Sequence, residues 1–304
     1  MTEQTTHPTG PVGLFGLGNM GAAIAGRLQV TWPVLAVEPN EERGRQVADE
    51  VGIDLAGGID DLSGSNVVVL SLPSPAISRK VVGDLTRVLQ PDSLIIETST
   101  INPTDAWELR DLCAPASIRL VDAAILSGVQ QVHDGTSMLL IGGEDDDVAR
   151  AKPVLDRLAE RQRHLGPVGS GMSTKVLNNA VAHAVMVILA EVGSLAAATG
   201  VRREDLAALL AEPDAGLMRP LTHRFTERML QGEYEGGMST EAARKDSTLA
   251  LALAQSSQTP LFAIQAAHTV YELAMSEGFG RLDYASVARL WENWTGRGLP
   301  DDPA

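Results

Sequence analysis

Short apolar runs alternate with stretches of helical periodicity through the first half of the chain, and in the second half the short runs stop. The runs are Val12–Phe15, Val34–Val37, Val67–Leu72, Leu94–Glu97, Ile118–Asp122 and Met138–Ile141. Their length and lack of polar alternation predict strands buried on both faces. Helical stretches lie between them, at Ala22–Val30, from about Glu41, at Thr104–Leu112 and at Asp146–Ala159. Strand-helix alternation of this kind predicts an α/β fold with a largely parallel, doubly wound sheet. From Val168 onward only helices are expected: Ser173–Ala198, Arg203–Ala211, Arg219–Leu230, Thr240–Gln255, Leu261–Glu277 and Tyr284–Trp294, with Pro213, Gly232, Pro260 and Gly278 as stops between them. The expected division is a sheet domain at residues 1–167 and an all-α C-terminal domain at residues 168–304, joined through the long helix. The first ten residues and the tail Gly298–Ala304 read as disordered.

The first strand runs into Gly16-Leu17-Gly18-Asn19-Met20-Gly21 and then a helix. In that context the spacing is a dinucleotide-binding fingerprint of the Rossmann type. Gly16 permits the tight turn, Gly18 lets the backbone approach a pyrophosphate, and Gly21 allows close helix packing. The helix N-terminus then faces the phosphates with its free N–H groups. A second strand ending in an acid about 20 residues on completes the pattern, and Val34–Val37 followed by Glu38 supplies it. A carboxylate there accepts ribose hydroxyls and repels a 2'-phosphate, so the expected cofactor is NAD; Arg43, just beyond, keeps NADP open. The bland alternative is that Glu38 only begins the next helix. Ligands of doubly wound sheets lie beyond the carboxyl ends of the strands, which places Leu72, Pro73, Thr98, Ser99 and Thr100 on the nicotinamide side.

A second glycine-punctuated turn, Gly166-Pro-Val-Gly169-Ser-Gly171, precedes the longest helical run. Alanine and aliphatic residues dominate this run, so it reads as largely buried. Its most apolar part, Ala180–Ala190, is too short and too polar-flanked for a membrane span. Lys175 in the first turn is out of place in such a helix. Asn178 and Asn179, at i+3 and i+4, share its face.

Composition narrows the classes. The 304 residues carry 24 basic and 39 acidic side chains, a formal charge of -15, which repels nucleic-acid backbones and anionic membrane surfaces. Cys113 is the one cysteine, so no intrachain disulfide forms and a reducing, cytoplasmic setting fits. No secretory signal pattern opens the chain. The six histidines show no metal-binding spacing, and no metal is expected.

Four segments in this order resemble the β-hydroxyacid dehydrogenases, a family that includes 3-hydroxyisobutyrate dehydrogenase and tartronate semialdehyde reductase. They are Gly16–Gly21; Asp122-Ala123-Ala124-Ile125-Leu126-Ser127-Gly128-Val129 with Gly135-Thr136; Gly166 to Asn179 around Lys175; and Lys245-Asp246 with the alanine-leucine repeat that follows. The resemblance implies hydride transfer between a nicotinamide cofactor and a small 3-hydroxy acid or its semialdehyde or keto form. Lys175 would be the general acid/base, assisted by Asn179, with Ser127, Gly128 and Asn178 on the substrate and Thr100 and Lys245 on the cofactor. Apolar neighbours such as Met172, Val176 and Leu177 would pull the lysine towards neutrality. The second segment departs from the family's D-A-P-V-S-G-G: leucine stands at the usual serine, and the hydroxyl comes one place later at Ser127. The resemblance and the apolar helix imply a homodimer or homotetramer. An imine reductase-like enzyme, of similar two-domain plan but generally without the lysine, and a non-catalytic NAD(P)-binding scaffold are the alternatives.

Overall fold

The computed structural model describes residues 8–298. The disorder expected at the two ends falls mainly on residues 1–7 and 299–304, outside that range. The chain divides into two compact units, the first ending at Ala180 and the second beginning at Val181. That division falls within the long helix.

In the first unit, β1 (Val12–Phe15) leads through the glycine turn into α1 (Asn19–Leu28). Then come β2 (Val34–Val37), α2 (Glu41–Val51), β3 (Asp54–Leu55), β4 (Val67–Leu70), α3 (Pro75–Leu85), β5 (Leu94–Glu97) and α4 (Pro103–Cys113). The unit continues with β6 (Arg119–Ile125), α5 (Val129–Asp134), β7 (Met138–Gly142), α6 (Asp145–Leu158) and β8 (Arg161–His164). The strands form one sheet in the order β3-β2-β1-β4-β5-β6-β7-β8. Only the β6–β7 pair is antiparallel. Alternate residues of a strand feed opposite faces: Val67 and Val69 of β4 join one buried cluster, Val68 and Leu70 the other. The order reverses between β1 and β4, the crevice where such sheets bind ligands.

β3, α3, α5 and β8 add to the elements expected from sequence. β8 reads Arg-Gln-Arg-His and is mostly exposed, so no apolar run announced it. Charged side chains on an edge strand also discourage pairing with another chain. β6 runs three residues beyond the expected Asp122, placing that carboxylate mid-strand.

α7 spans Ser170–Thr199, 30 residues. It corrects two expectations. Little of it is buried, and Leu177, Val181 and Met186 are among its exposed large apolar residues, because apolar side chains surround the axis and no single face collects them. It is also long and apolar enough, by length and composition alone, to cross a membrane, with 17% of its most apolar window buried. The helix continues on both sides of the Ala180–Ala190 stretch, through Asn179 and Glu191.

In the second unit α7 is followed by α8 (Arg203–Ala211), a π-helical segment Pro220–Thr226, α9 (Thr240–Ser256), α10 (Phe262–Ser276) and α11 (Ala288–Thr295). α9 packs on α10. Glu191 of α7 caps the start of α10, its two oxygens accepting the N–H groups of Ala263 at 2.8 Å and Ile264 at 3.2 Å. Arg224 and Arg228 converge on buried Asp283, at 3.1 and 3.6 Å.

Candidate active site

The glycine turn after β1 has the geometry a pyrophosphate needs. Gly16 has φ +97°, and a Cβ there would strike the Ser71 carbonyl; a Cβ at Gly21 would strike the carbonyl of Gly16. At Gly18 a Cβ would meet nothing within 4 Å, so that glycine keeps an approach open and does not relieve a clash. α1 starts at Gly18 with no side-chain cap and no acid in its first turn, leaving its N–H dipoles to an anion. Beside it lies a cavity of about 440 Å³ lined by Gly16, Gly18, Asn19, Met20, Glu38 and Leu72, among others. Pro73 also lines it.

Glu38 closes the other side. Its Oε2 accepts the Leu17 N–H at 2.7 Å and its Oε1 accepts the Asn40 N–H at 3.0 Å. Two backbone donors fix the carboxylate and leave it acceptor capacity for hydroxyls. The cap of α2 is Asn40, whose side chain accepts the Arg43 N–H at 3.0 Å, so Glu38 is not needed for it. The Arg43 guanidinium donates to the Leu17 carbonyl at 2.9 Å. These residues fit a dinucleotide.

Beyond β4 and β5 the expected nicotinamide-side residues divide. The Ser99 hydroxyl accepts the Leu72 N–H at 2.7 Å and the Thr98 hydroxyl donates to the Leu70 carbonyl at 2.6 Å. Both tie one strand end to the next. Thr100 is exposed. Beneath them Glu97 is fully buried and its carboxyl is pushed up to about 7 by burial, against the pull of Ser99 and Ser78, with Asp122 opposite adding repulsion.

Lys175 is half-buried in the first turns of α7, and its Nζ donates to the Ile125 carbonyl at 2.7 Å. Burial moves its pKa below the ordinary lysine value. Met172 beneath it is fully buried, whereas Leu177 is exposed. The partner of the ammonium is thus a main-chain oxygen of β6, which no side-chain motif reveals. Asn178 donates to Asn179 Oδ1 at 3.4 Å.

The Ser127 side chain is engaged within its own loop. Its hydroxyl donates to the Leu126 carbonyl at 2.6 Å and accepts the Met138 N–H at 3.1 Å, which closes the β6–β7 connection. The hydroxyl proton expected for a substrate carboxylate is engaged within the loop. Gly128 is exposed and begins α5. Lys245 lies on α9 in the second unit, exposed, 3.3 Å from Asp246. Among the described residues no group of acids, histidines and cysteines could hold a metal ion.

Residues 11–197 match the NAD binding domain of 6-phosphogluconate dehydrogenase, and residues 169–291 match the NAD-binding domain of NADP-dependent 3-hydroxyisobutyrate dehydrogenase. The chain belongs to the β-hydroxyacid dehydrogenase family. Membership makes it an NAD(P)-dependent oxidoreductase. Similar members include the mitochondrial 3-hydroxyisobutyrate dehydrogenase of Rattus norvegicus, 29% identical over 91% of this chain and 85% of that protein. The NAD-dependent L-serine dehydrogenase of Pseudomonas aeruginosa is 26% identical over 94% of this chain and 99% of its own. An imine reductase structure from Pseudomonas sp. shares the fold with a TM-score of 0.81 at 22% identity, covering 93% of this chain and 100% of that one. At that identity the likeness is one of fold.

Proposed function

We propose that this β-hydroxyacid dehydrogenase oxidises small 3-hydroxy acids, and reduces their semialdehyde or keto forms, with Lys175 as general acid/base. The observation that carries the reading is the Lys175 ammonium, half-buried and held 2.7 Å from the Ile125 carbonyl at the end of the strand that leads into Ser127 and Gly128. Burial favours the neutral amine, the form able to take a hydroxyl proton as the carbinol C–H bond breaks. When bound, the nicotinamide supplies the hydride acceptor. Gly16, Leu17, Gly18, Asn19, Met20, Gly21, Glu38, Leu72, Pro73 and Thr100 would hold the cofactor, and the family resemblance adds Lys245 to that set. The two tethered oxygens of Glu38 support NAD over NADP.

The substrate carboxylate meets main-chain N–H groups at Ser127 and Gly128, while Asn178 and Asn179 address its polar groups. 3-Hydroxyisobutyrate and L-serine, the compounds named for the relatives, set the substrate size. Imine reduction is the second reading; it rests on fold likeness, and a lysine at 175 favours the hydroxy-acid branch. The exposed apolar residues of α7 support a homodimer or homotetramer, and the acidic charge and single cysteine support a soluble cytoplasmic protein.

The test is a panel of 3-hydroxy acids, including hydroxyisobutyrate, glycerate, serine and threonate, with NAD and with NADP, beside a panel of cyclic imines. Bound cofactor with no turnover of any acid would sink the reading. In Lys175→Ala, kcat should fall by about a hundredfold to ten-thousandfold while NADH affinity persists. A variant as fast as the parent would remove Lys175 from the mechanism.

A further inference from the structure

Asp122 sits mid-strand in β6, fully buried, opposite Glu97 of β5 and Gly142 of β7. A carboxylate in such a place needs partners. Its two shortest bonds come from the turn into α7: Oδ1 accepts the Gly169 N–H at 2.6 Å and Oδ2 accepts the Met172 N–H at 2.9 Å. Two glycines make room for it. A Cβ at Gly142 would collide with Asp122 Oδ1, and one at Gly171 would lie 2.7 Å from Oδ2.

Three residues along the same strand, the Ile125 carbonyl accepts the Lys175 ammonium at 2.7 Å. Lys175 follows Met172 by about one turn, a rise of roughly 4.5 Å. The strand therefore grips the start of α7 at two points, one on its backbone and one on the end of the lysine side chain. From the other side the Trp107 indole N–H donates to the Val168 carbonyl at 2.9 Å.

We propose that Asp122 is the positioning residue for Lys175: by holding the Gly169 and Met172 N–H groups it fixes the first turn of α7 on β6 so that the ammonium stays on the Ile125 carbonyl. The proposal rests on the reading of Lys175 as the acid/base. A carboxylate is required, since two N–H donors need two acceptor oxygens; an amide offers one and turns its own NH₂ against the second donor. Burial raises the Asp122 carboxyl to about 6 in spite of those donors. Glu97 is the charged group that faces it from β5, while β7 presents a glycine and α7 presents backbone N–H groups.

The test uses the full chain and reads Lys175 without substrate. Acetylation of Lys175 by acetic anhydride, followed across pH by mass spectrometry, reports when the amine becomes neutral. In Asp122→Asn the midpoint should rise by about one pH unit towards ordinary lysine. With a hydroxy acid that the parent turns over, kcat should fall by about a hundredfold, the scale of an ångström-sized misplacement, with NADH affinity retained. A folded Asn variant whose labelling midpoint matches the parent overturns the proposal, whatever its kcat. If that variant does not fold, Trp107→Phe decides. Its side chain is partly exposed, and loss of one hydrogen bond to the same turn should raise the midpoint and lower kcat by about fivefold; an unmoved midpoint overturns the proposal. The labelling is independent of catalysis. If Lys175→Ala keeps full activity the functional reading fails, and the midpoint still reports whether Asp122 holds the turn.

Discussion

Two glycine-punctuated turns feed two helices in this protein, and they end in opposite ways. At α1 the helix start has no cap and no acid, and a Cβ at Gly18 would enter open space. Its N–H groups are left for an anion from outside. At α7 the N–H groups of Gly169 and Met172 are taken by the Asp122 carboxylate from within the sheet. Similar spacing of glycines thus makes a binding surface in one place and a fixed mount for a lysine in the other. What separates them is whether the neighbouring strand supplies an acceptor.

An alanine scan of the two turns breaks that comparison where it is strongest. In Gly171→Ala the new Cβ would collide with the Leu140 carbonyl and with Asp122; overpacking of this kind costs about 1–3 kcal/mol. The melting temperature should drop and kcat with it. Gly18→Ala should melt like the parent and bind NADH more weakly by at least about tenfold, since the side chain enters the pyrophosphate's approach. Calorimetry and NADH titration check both; a stable Gly171→Ala or a tight-binding Gly18→Ala would show that the two turns do not differ in this way.

The next effect concerns cofactor choice at the open turn. In Glu38→Ser the carboxylate that accepts from Leu17 and Asn40 is gone, and the Arg43 guanidinium beside Leu17 remains. The ratio of kcat/KM for NADP to that for NAD should rise roughly tenfold, the value of one charged contact. An unchanged ratio would mean that Glu38 holds only the turn.

Sequence resolved the open turn better than the closed one. Gly16, Gly18, Gly21 and Glu38 announce themselves by local spacing, because each answers a steric or hydrogen-bonding demand within one strand-turn-helix unit. The closed turn depends on pairings across about fifty residues, Asp122 with Gly169 and Met172, and Lys175 with Ile125. A main-chain acceptor leaves no trace in side-chain identity. The readable sign was Asp122 itself, a carboxylate inside the apolar run Leu120–Ile125, which demands a buried partner. The partners of the Ser127 hydroxyl were equally invisible, since a hydroxyl in a loop is as readily engaged by its own backbone as by a ligand. The apolar helix misled because composition shows that side chains avoid water without showing where they are covered.

The smallest effect tests the carboxyl beside the clamp. Glu97 titrates near 7 in the folded chain, chiefly through burial, against 4.5 for an ordinary glutamate. Between those values the native chain holds a proton that the unfolded chain has released, so its contribution to stability is full below about 4.5 and is lost as pH rises through 7. Asp122 adds a similar loss between 3.8 and about 6. Glu97→Gln keeps an acceptor for the Ser99 N–H, bonded to Oε1 at 2.8 Å, and carries no charge to bury. Its melting temperature should therefore exceed the parent's by a few degrees at pH 8 and converge with it near pH 5, the residual slope belonging to Asp122 and the exposed acids. If the two melting curves run parallel across that range, Glu97 ionises in the fold as it does in the unfolded chain.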